Sequence, residues 1–557
     1  MKMRLLKVDL SSNDTWEERI PEQILKEYIG GRALGAKLLE ETNPVYSPLS
    51  EEAHLFFATS PLVGLFPCAN RISVVGISPA NGLYAFANAG GKFAIELRKA
   101  GYDVIDVFGR SRFPAYLSVL DGKAEIVSAG HLWGKTTGKV RHYFRNYKSV
   151  SCIGPAGENL VKFAGIQFDE RSAARGGLGA VLGYKKLKAI AVSGNERIPG
   201  EEKVHKLLPK AFSALKDMSP WGEIGTLDTT DLVNPGKCYP VNNFRQNHLP
   251  EDKLEKIDFR AFKPKVEGRG GCFLCPVQCA RKFRTSWKEV RDGPEYETIW
   301  AFGANLENYN PQIIIDANAL CDEYGLDTIS TGGVLAWFKE ASEKGLVPDK
   351  FTSSKQIPEL IRMIAERRGI GDDLAEGVKA VSEKYGGGEF AVHTYGMELA
   401  AYDPRSVPGM LISYALGSKK GSHLNAWTVA ADLKAGSKRF RPKEIALRAN
   451  RIMVDNTKPD ILCICRFVRD VGDFSKGLLA KALSLVTGHK YLVKDLRKTS
   501  EKTIDLERRI SLLKGMKKNE ETFTSRILSQ DPGVNSHKLT KEEFEKIKEE
   551  FYKLRGW

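Results

Sequence analysis

Residues 188–200, KAIAVSGNERIPG, decide the fold class, because the period of the apolar residues changes across them. KAIAVSG closes a series of short runs rich in Val, Ile, Phe and Tyr. Upstream, LLKVDL (5–10), HLFFATS (54–60), ISVVGIS (72–78), LYAFANA (83–89), DVIDVFG (103–109), AYLSVLDG (115–122) and AEIVSAG (124–130) read as strands, separated by Gly, Pro and Asn. From about residue 200 the spacing becomes helical. IIIDANALCDEYG (313–325), GGVLAWFKEASEKG (332–345), IPELIRMIAERRG (357–369) and DLAEGVKAVSEKYGGG (373–388) each run to a Gly suited to a helix C-cap. Strands first and helices afterwards predict an α+β chain. A β-rich N-terminal domain is expected over 1–198, and two mainly α-helical domains over 199–395 and 396–557. Gly386-Gly387-Gly388 and the loop through Pro404 and Pro408 mark the second boundary. No internal repeat is legible.

Composition bounds the function. Of 557 residues, 42% are apolar and 27% charged, which excludes a disordered or low-complexity chain, and nine Cys over this length exclude a disulfide scaffold. No apolar stretch approaches the roughly 18 residues of a membrane span. The N-terminal MKMRLLKVDLSSND has no apolar leader core, so the cytoplasm is the expected compartment. Lys and Arg number 84 against 69 Asp and Glu, a net charge of +15, but the basic residues are scattered. A solvated surface explains them, with an anionic partner as the functional alternative.

The chemistry concentrates in GRGGCFLCPVQCAR (268–281), where Cys272, Cys275 and Cys279 form a C-x2-C-x3-C run among glycines. Three thiolates this close wrap a soft metal centre. With no nearby fourth ligand, an iron–sulfur cluster completed from a distant segment is favoured over zinc or inert thiols. Cys463 and Cys465, in KPDILCICRF (458–467), are the distant candidates. Three glycine-rich turns, GGRALGAKLL (30–39), FANAGGKFAIEL (86–97) and RSAARGGLGAVLGYKK (171–186), could each present backbone N–H groups to a phosphate. None has dinucleotide or Walker spacing.

These segments, taken in order with GPEYET (293–298), CDEYGLDTIS (321–330), YALGSKKGSHLNA (414–426) and the closing YKLRGW, resemble the tungsten-dependent aldehyde ferredoxin oxidoreductases along essentially the whole chain. The resemblance implies that the N-terminal domain carries tungsten, or molybdenum, on the dithiolene sulfurs of two pterins. Mg2+ would bridge the pterin phosphates, and one [4Fe–4S] cluster would lie nearby. The family's D-x-x-G-L-(D/C) signature, one copy per pterin, is intact as Asp322, Gly325, Leu326 and Asp327. The second copy departs: Asp460, then Cys463 in place of Gly, Ile464 in place of Leu, then Cys465. By that matching Cys465 is the fourth cluster ligand and Cys463 its competitor. Arg71 and Asn88 fall at the pterins, Asn88 near their phosphates or the Mg2+. The turn Arg175-Gly176-Gly177 faces the same cofactor, Glu297 lies near the metal and His423 faces the substrate. An E-x-x-H pair that holds an interfacial iron in some members is replaced by Asp316-Ala317-Asn318-Ala319, so that iron is not expected and an oligomer is left open.

The implied reaction is oxidation of an aldehyde with water to a carboxylic acid, with His423 donating a hydrogen bond to the carbonyl oxygen and Glu297 removing a proton. Electrons leave through the cluster to ferredoxin or a similar acidic carrier; neither membrane nor nucleic acid is an expected partner. The alternative is the catalytic subunit of a tungsten-dependent reductase complex acting on an aromatic thioester. A zinc-stabilised basic nucleic-acid-binding protein is the alternative from another class.

Overall fold

Two six-stranded sheets form the base of the molecule. The first contains β1 (Arg4–Asp9), β2 (Asp14–Arg19), β3 (Leu55–Ala58), β4 (Ile72–Ile77), β5 (Tyr84–Ala89) and β6 (Val104–Phe108), in the order β2-β1-β6-β3-β4-β5. The second contains β7 (Ala115–Leu120), β8 (Lys123–Ser128), β9 (Ser149–Cys152), β10 (Ile166–Phe168), β11 (Arg171–Ala173) and β12 (Leu187–Ser193), in the order β8-β7-β12-β9-β10-β11. The second order is the first with every strand moved on by one set. The pairing directions repeat as well: β1 with β6 and β7 with β12 are parallel, and every other pair is antiparallel. The base is therefore a duplication, contrary to the expectation of no repeat. Strand order and direction constrain only alternation and turns, so the repeat leaves little trace in residue identity. Its one echo is Gly90-Gly91 after β5 and Gly176-Gly177 after β11, each leading into a helix, Phe93–Lys99 and Leu178–Tyr184.

The structure, a computed structural model, describes residues 2–216, 223, 225–469, 471, 477–533 and 536–557. Each strand read from the sequence is found. β3, β4 and β12 are buried along their whole length, which is why they read as unbroken apolar runs. β2 is largely exposed and polar, and β9 to β11 are three or four residues long, so none of these carries a legible pattern.

Beyond the base the chain is largely helical. Pro311–Tyr324 ends at Gly325 in the left-handed conformation (φ 76°), as a C-cap glycine should. Two expectations need correction. The run 373–388 is two helices, Ile370–Leu374 and Val378–Tyr385, broken at Gly377 (φ 91°). The helix Ile357–Glu366 is capped by Arg367, two residues before Gly369. A three-stranded antiparallel sheet, Val266–Gly270, Ala280–Arg284 and Val290–Asp292, also stands among the helices, and its first hairpin loop is the cysteine run.

One hydrophobic cluster joins the helices from Leu227 to Phe551, while Ile461 to Leu496, Leu506 and Ile510 pack into the cluster of the base. The helix Val493–Leu513 is fastened to the base helix Gly31–Glu41 by a buried ion pair, Arg32 Nε to Glu507 Oε1 at 2.5 Å. Among the described residues no helix is long and apolar enough to cross a membrane.

Candidate functional site

The two signature segments reach the base at equivalent places. After Pro311–Tyr324 the left-handed Gly325 turns the chain back, so that Leu326 bridges to Ala164 just before β10 and Gly165 N donates to Gly325 O at 2.8 Å. A Cβ on Gly325 would lie 2.9 Å from Gly154 N. After the helix Pro442–Ile461, Cys463 takes the same left-handed conformation (φ 53°). Ile464 then bridges to Ala69 just before β4, and Arg71 N donates to Cys463 O at 3.0 Å.

A cavity of about 350 Å³ lies beside the second signature. Cys272, Cys275, Cys279 and Cys465 line it together with Arg71, Asn88, Asp322 and Leu326. The cysteine hairpin is held to the base by Cys68 N donating to Leu274 O (3.1 Å) and Asn70 Nδ2 donating to Phe273 O (2.7 Å). Gly90 lets it approach, since a Cβ there would stand 2.6 Å from Cys272 Sγ. Arg71 Nη2 donates to Cys465 Sγ at 3.4 Å. Cys463 does not line the cavity: its sulfur lies 3.7 Å from Ala58 O, under Gly31.

A fifth thiol, Cys68, also lines the cavity and was not read from the sequence. It donates to Cys275 Sγ at 3.7 Å, which pulls the Cys275 thiol down to about 6 and holds Cys68 itself up. Burial pushes Cys272 and Cys279 up. Among the described residues no three His, Cys, Asp or Glu side chains close on a single point. Thiols spaced around a cavity suit a multi-iron cluster better than one tetrahedral ion.

Asp460 anchors a buried group of cations above β5. It accepts from Asn88 Nδ2 (2.9 Å), Arg32 Nη1 (3.1 Å) and Arg466 Nε (3.0 Å). Burial pushes this carboxyl up, but Arg466 and Arg32 outweigh it and hold it below the usual range. At the other signature Arg175 Nη1 pairs with Asp327 Oδ2 (2.9 Å), and Nη2 donates to Gly421 O (2.8 Å). Asp327 also caps the helix Thr328–Glu343. Asp322, which burial pushes up to about 7, accepts from Gln167 Nε2 (3.0 Å) and Asn318 Nδ2 (3.3 Å). Gly176 and Gly177 both have positive φ, and a Cβ on Gly177 would overlap Lys162 O at 2.0 Å.

Glu297, in the first turn of the helix Tyr296–Phe302, accepts from Ala401 N through Oε2 at 3.1 Å. Its Oε1 has no hydrogen bond and stands 3.4 Å from His423 Nδ1, which has none either. Burial pushes Glu297 up to about 8. Burial, with Arg175, Arg466 and Lys419 adding to it, pushes His423 well below its ordinary value. At neutral pH the pair is thus a neutral imidazole facing a mostly protonated carboxyl. The Tyr402 ring is 5.5 Å from that of His423, with Tyr296 behind it at 5.6 Å.

The structure thus gathers the four read cysteines, Arg71, Asn88, Asp322 and Leu326 around one cavity. Glu297 and His423 form a separate pair that Arg175 and Asp327 reach electrostatically. Gly176, Gly177, Gly325 and Ile464 act through their backbone. Arg32, Arg466 and Lys419 were not singled out, although all three lie inside segments quoted for other reasons. Two unpartnered buried atoms, Arg71 Nε and Arg175 Nε, fit a site built for a bound anion.

Comparisons with known proteins agree over the whole chain. Residues 5–194 match the family model described as aldehyde ferredoxin oxidoreductase, N-terminal domain, and 203–557 match aldehyde ferredoxin oxidoreductase, domains 2 & 3. The tungsten-containing aldehyde ferredoxin oxidoreductase of Pyrococcus furiosus is 35% identical over 100% of this chain and 96% of its own. An aliphatic sulfonate oxidoreductase, WOR-like subunit, from the same organism is 29% identical over 77% of this chain and 76% of its own. Among solved structures, the active site complex BamBC of benzoyl coenzyme A reductase with 1,5 dienoyl-CoA superposes with a TM-score of 0.85. It has 22% identity and covers 100% of this chain and 95% of that one, a likeness of fold.

Proposed function

The chain belongs to the aldehyde ferredoxin oxidoreductase family, and from that membership we propose that it oxidises an aldehyde with water to a carboxylic acid and passes the two electrons singly to an acidic, ferredoxin-like carrier. Membership makes it an oxidoreductase, implies a tungsten–pterin cofactor and sets aside the nucleic-acid reading. The observation that carries the proposal is the Glu297–His423 pair, whose facing Oε1 and Nδ1 atoms have no hydrogen bond, in a chain that also rings a cavity with thiols.

In this reading Cys272, Cys275, Cys279 and Cys465 hold a [4Fe–4S] cluster. Arg71, Asn88, the Arg175-Gly176-Gly177 turn and the two signatures hold the pterins, with Mg2+ near Asn88. The donor set fits: soft thiolates surround the cavity, and Arg71, which lines it too, and Arg175 each keep a buried Nε without a partner. Once bound, the tungsten centre supplies the two-electron redox chemistry and the transfer of oxygen. The chain supplies positioning and proton handling. His423, kept neutral, donates an N–H to the aldehyde oxygen as negative charge gathers there. Glu297, in its ionised form, takes the proton lost as water is added. The buried rings of Tyr402 and Tyr296 pack behind this pair.

An open groove lined by Lys92, Arg141, His142, Arg171 and Lys282, and equally by Asp169, Glu170 and Asp292, reaches Cys272 from outside, and Phe273 beside it is 40% exposed. The acidic carrier is proposed from the family and from the net charge of +15, and its reduction should slow as salt rises. The proposal includes a cytoplasmic location and the three-unit division at 198 and 395.

The test is metal analysis of anaerobically purified protein with an aldehyde screen against an artificial acceptor. About one tungsten and four iron per chain, with aldehyde-dependent dye reduction, is the expected result. Zinc alone overturns it; tungsten and iron with turnover of an aromatic thioester and none of aldehydes overturns the substrate.

A further inference from the structure

Five thiols line the cavity, and a cubane cluster takes four. Cys68 is the one left over. It stands between the two cysteine-bearing segments and is fastened to both. Its N–H donates to Leu274 O (3.1 Å) inside the hairpin, and its carbonyl accepts from Cys465 N (3.0 Å). Cys272, Cys275, Cys279 and Cys465 are half-buried, whereas Cys68 is 0% exposed. Its thiol donates to Cys275 Sγ at 3.7 Å.

The backbone does not ask for a cysteine at this place. Residue 68 is left-handed (φ 63°), a conformation that glycine adopts without strain, and both fastenings are made by main-chain atoms that glycine would also supply. What the side chain adds is the hydrogen bond, and its acceptor is a cluster ligand in the reading above. Arg71 Nη2 makes the corresponding contact on the other segment, donating to Cys465 Sγ at 3.4 Å. The hairpin and the second signature thus each present one sulfur with a side-chain donor on it.

We propose that Cys68 is a positioning residue for electron transfer: it is not a ligand but holds an S–H on the Cys275 sulfur and so raises the reduction potential of the cluster. Reduction adds one electron, and part of the added negative charge resides on the ligand sulfurs. A donor aimed at such a sulfur stabilises the reduced state more than the oxidised one. The inference rests on the four-cysteine cluster reading and adds a residue which that reading does not contain.

The test compares C68A, C68G and C68S with the wild type, each purified anaerobically from tungstate-supplemented cells. Iron per chain is measured first. The cluster is then titrated with dithionite through redox mediators, and its paramagnetic reduced form is followed by EPR. All four proteins should hold about four iron per chain. At the wild-type midpoint, where reduced and oxidised clusters are equal, the reduced-to-oxidised ratio in C68A and C68G should be lower by about threefold to tenfold; tenfold is about 59 mV for one electron. C68S keeps a hydroxyl donor and should stay within about twofold of wild type. C68G carries no left-handed strain, so it makes the same measurement if C68A fails to fold.

The sign separates this role from a packing role. A smaller side chain that let water in would raise the potential, whereas loss of the donor lowers it. A midpoint in C68A or C68G that is unchanged or higher overturns the proposal. So does a lowered midpoint that C68S does not restore. Loss of iron from C68G also overturns it, because Cys68 would then be a ligand. A wild type that holds no iron overturns the cluster reading and this assignment with it, and that result is seen before any variant is titrated.

Discussion

The two signature segments share a backbone and differ at its end. Each follows a helix, turns through a left-handed residue and bridges to an alanine that precedes equivalent strands of the duplicated base, Ala164 before β10 and Ala69 before β4. At the next residue they part. Asp327 turns to Arg175 and caps the following helix, on the side of Glu297 and His423. Cys465 turns into the thiol cavity. A duplicated base would hold two equivalent groups and have no direction of its own. In the proposed function, the residue after each bridge provides it, with chemistry on the aspartate side and electron exit on the cysteine side.

The most severe test exchanges the two ends. C465S should lose most of its iron, and reduction of a protein carrier should fall by about a thousandfold or more. D327N should keep its iron, because it touches no cavity thiol, while losing turnover through Arg175. Metal analysis of both variants side by side is the measurement. Equal iron loss in the two would show that the signatures do not divide the work.

A second test addresses the chemical side alone. E297Q should keep tungsten and iron while kcat falls by roughly 10²–10⁴, the usual contribution of a positioned base. The pH profile carries the sign. Burial raises Glu297 to about 8, so the ionised base is scarce below that value and plentiful above it. Wild-type kcat/KM should therefore rise as pH rises through about 8, and the residual rate of E297Q should not follow. A wild-type rate that is flat from pH 6.5 to 9 would remove Glu297 as the base.

What the sequence disclosed follows the range over which each signal acts. The change of period after residue 194 and the C-x2-C-x3-C run are local, and both were legible. Cys68 is 207 residues from Cys275, and Arg32 is 428 from Asp460, so only the folded chain brings them together. Glu297 and His423 are each named through resemblance, since neither has a local pattern around it, and only the folded chain pairs them. The duplication was hidden for another reason: it resides in strand order, and only Gly90-Gly91 and Gly176-Gly177 repeat it in residues.

The turns before the bridges give the next comparison. G325A asks an alanine to hold a left-handed backbone with its Cβ 2.9 Å from Gly154 N, a backbone atom that cannot move aside cheaply. Strain and clash together should cost about 2 kcal/mol or more, seen as a melting temperature lower by about 2 °C or more.

The matching change on the other side, C463G, should do almost nothing. Cys463 already occupies the left-handed region at φ 53°, where a non-glycine residue stores about 1–3 kcal/mol. Glycine releases that strain. It also gives up the contacts of a buried thiol and adds freedom to the unfolded chain, which together cost about 1–2 kcal/mol. The terms oppose each other, so the apoprotein melting temperature should stay within about 3 °C of wild type. Iron content should be unchanged, because the Cys463 sulfur faces Ala58 O and Gly31 and not the cavity. A large loss of iron in C463G would make Cys463 the fourth ligand in place of Cys465, and the division between the two signatures would then have to be drawn two residues earlier.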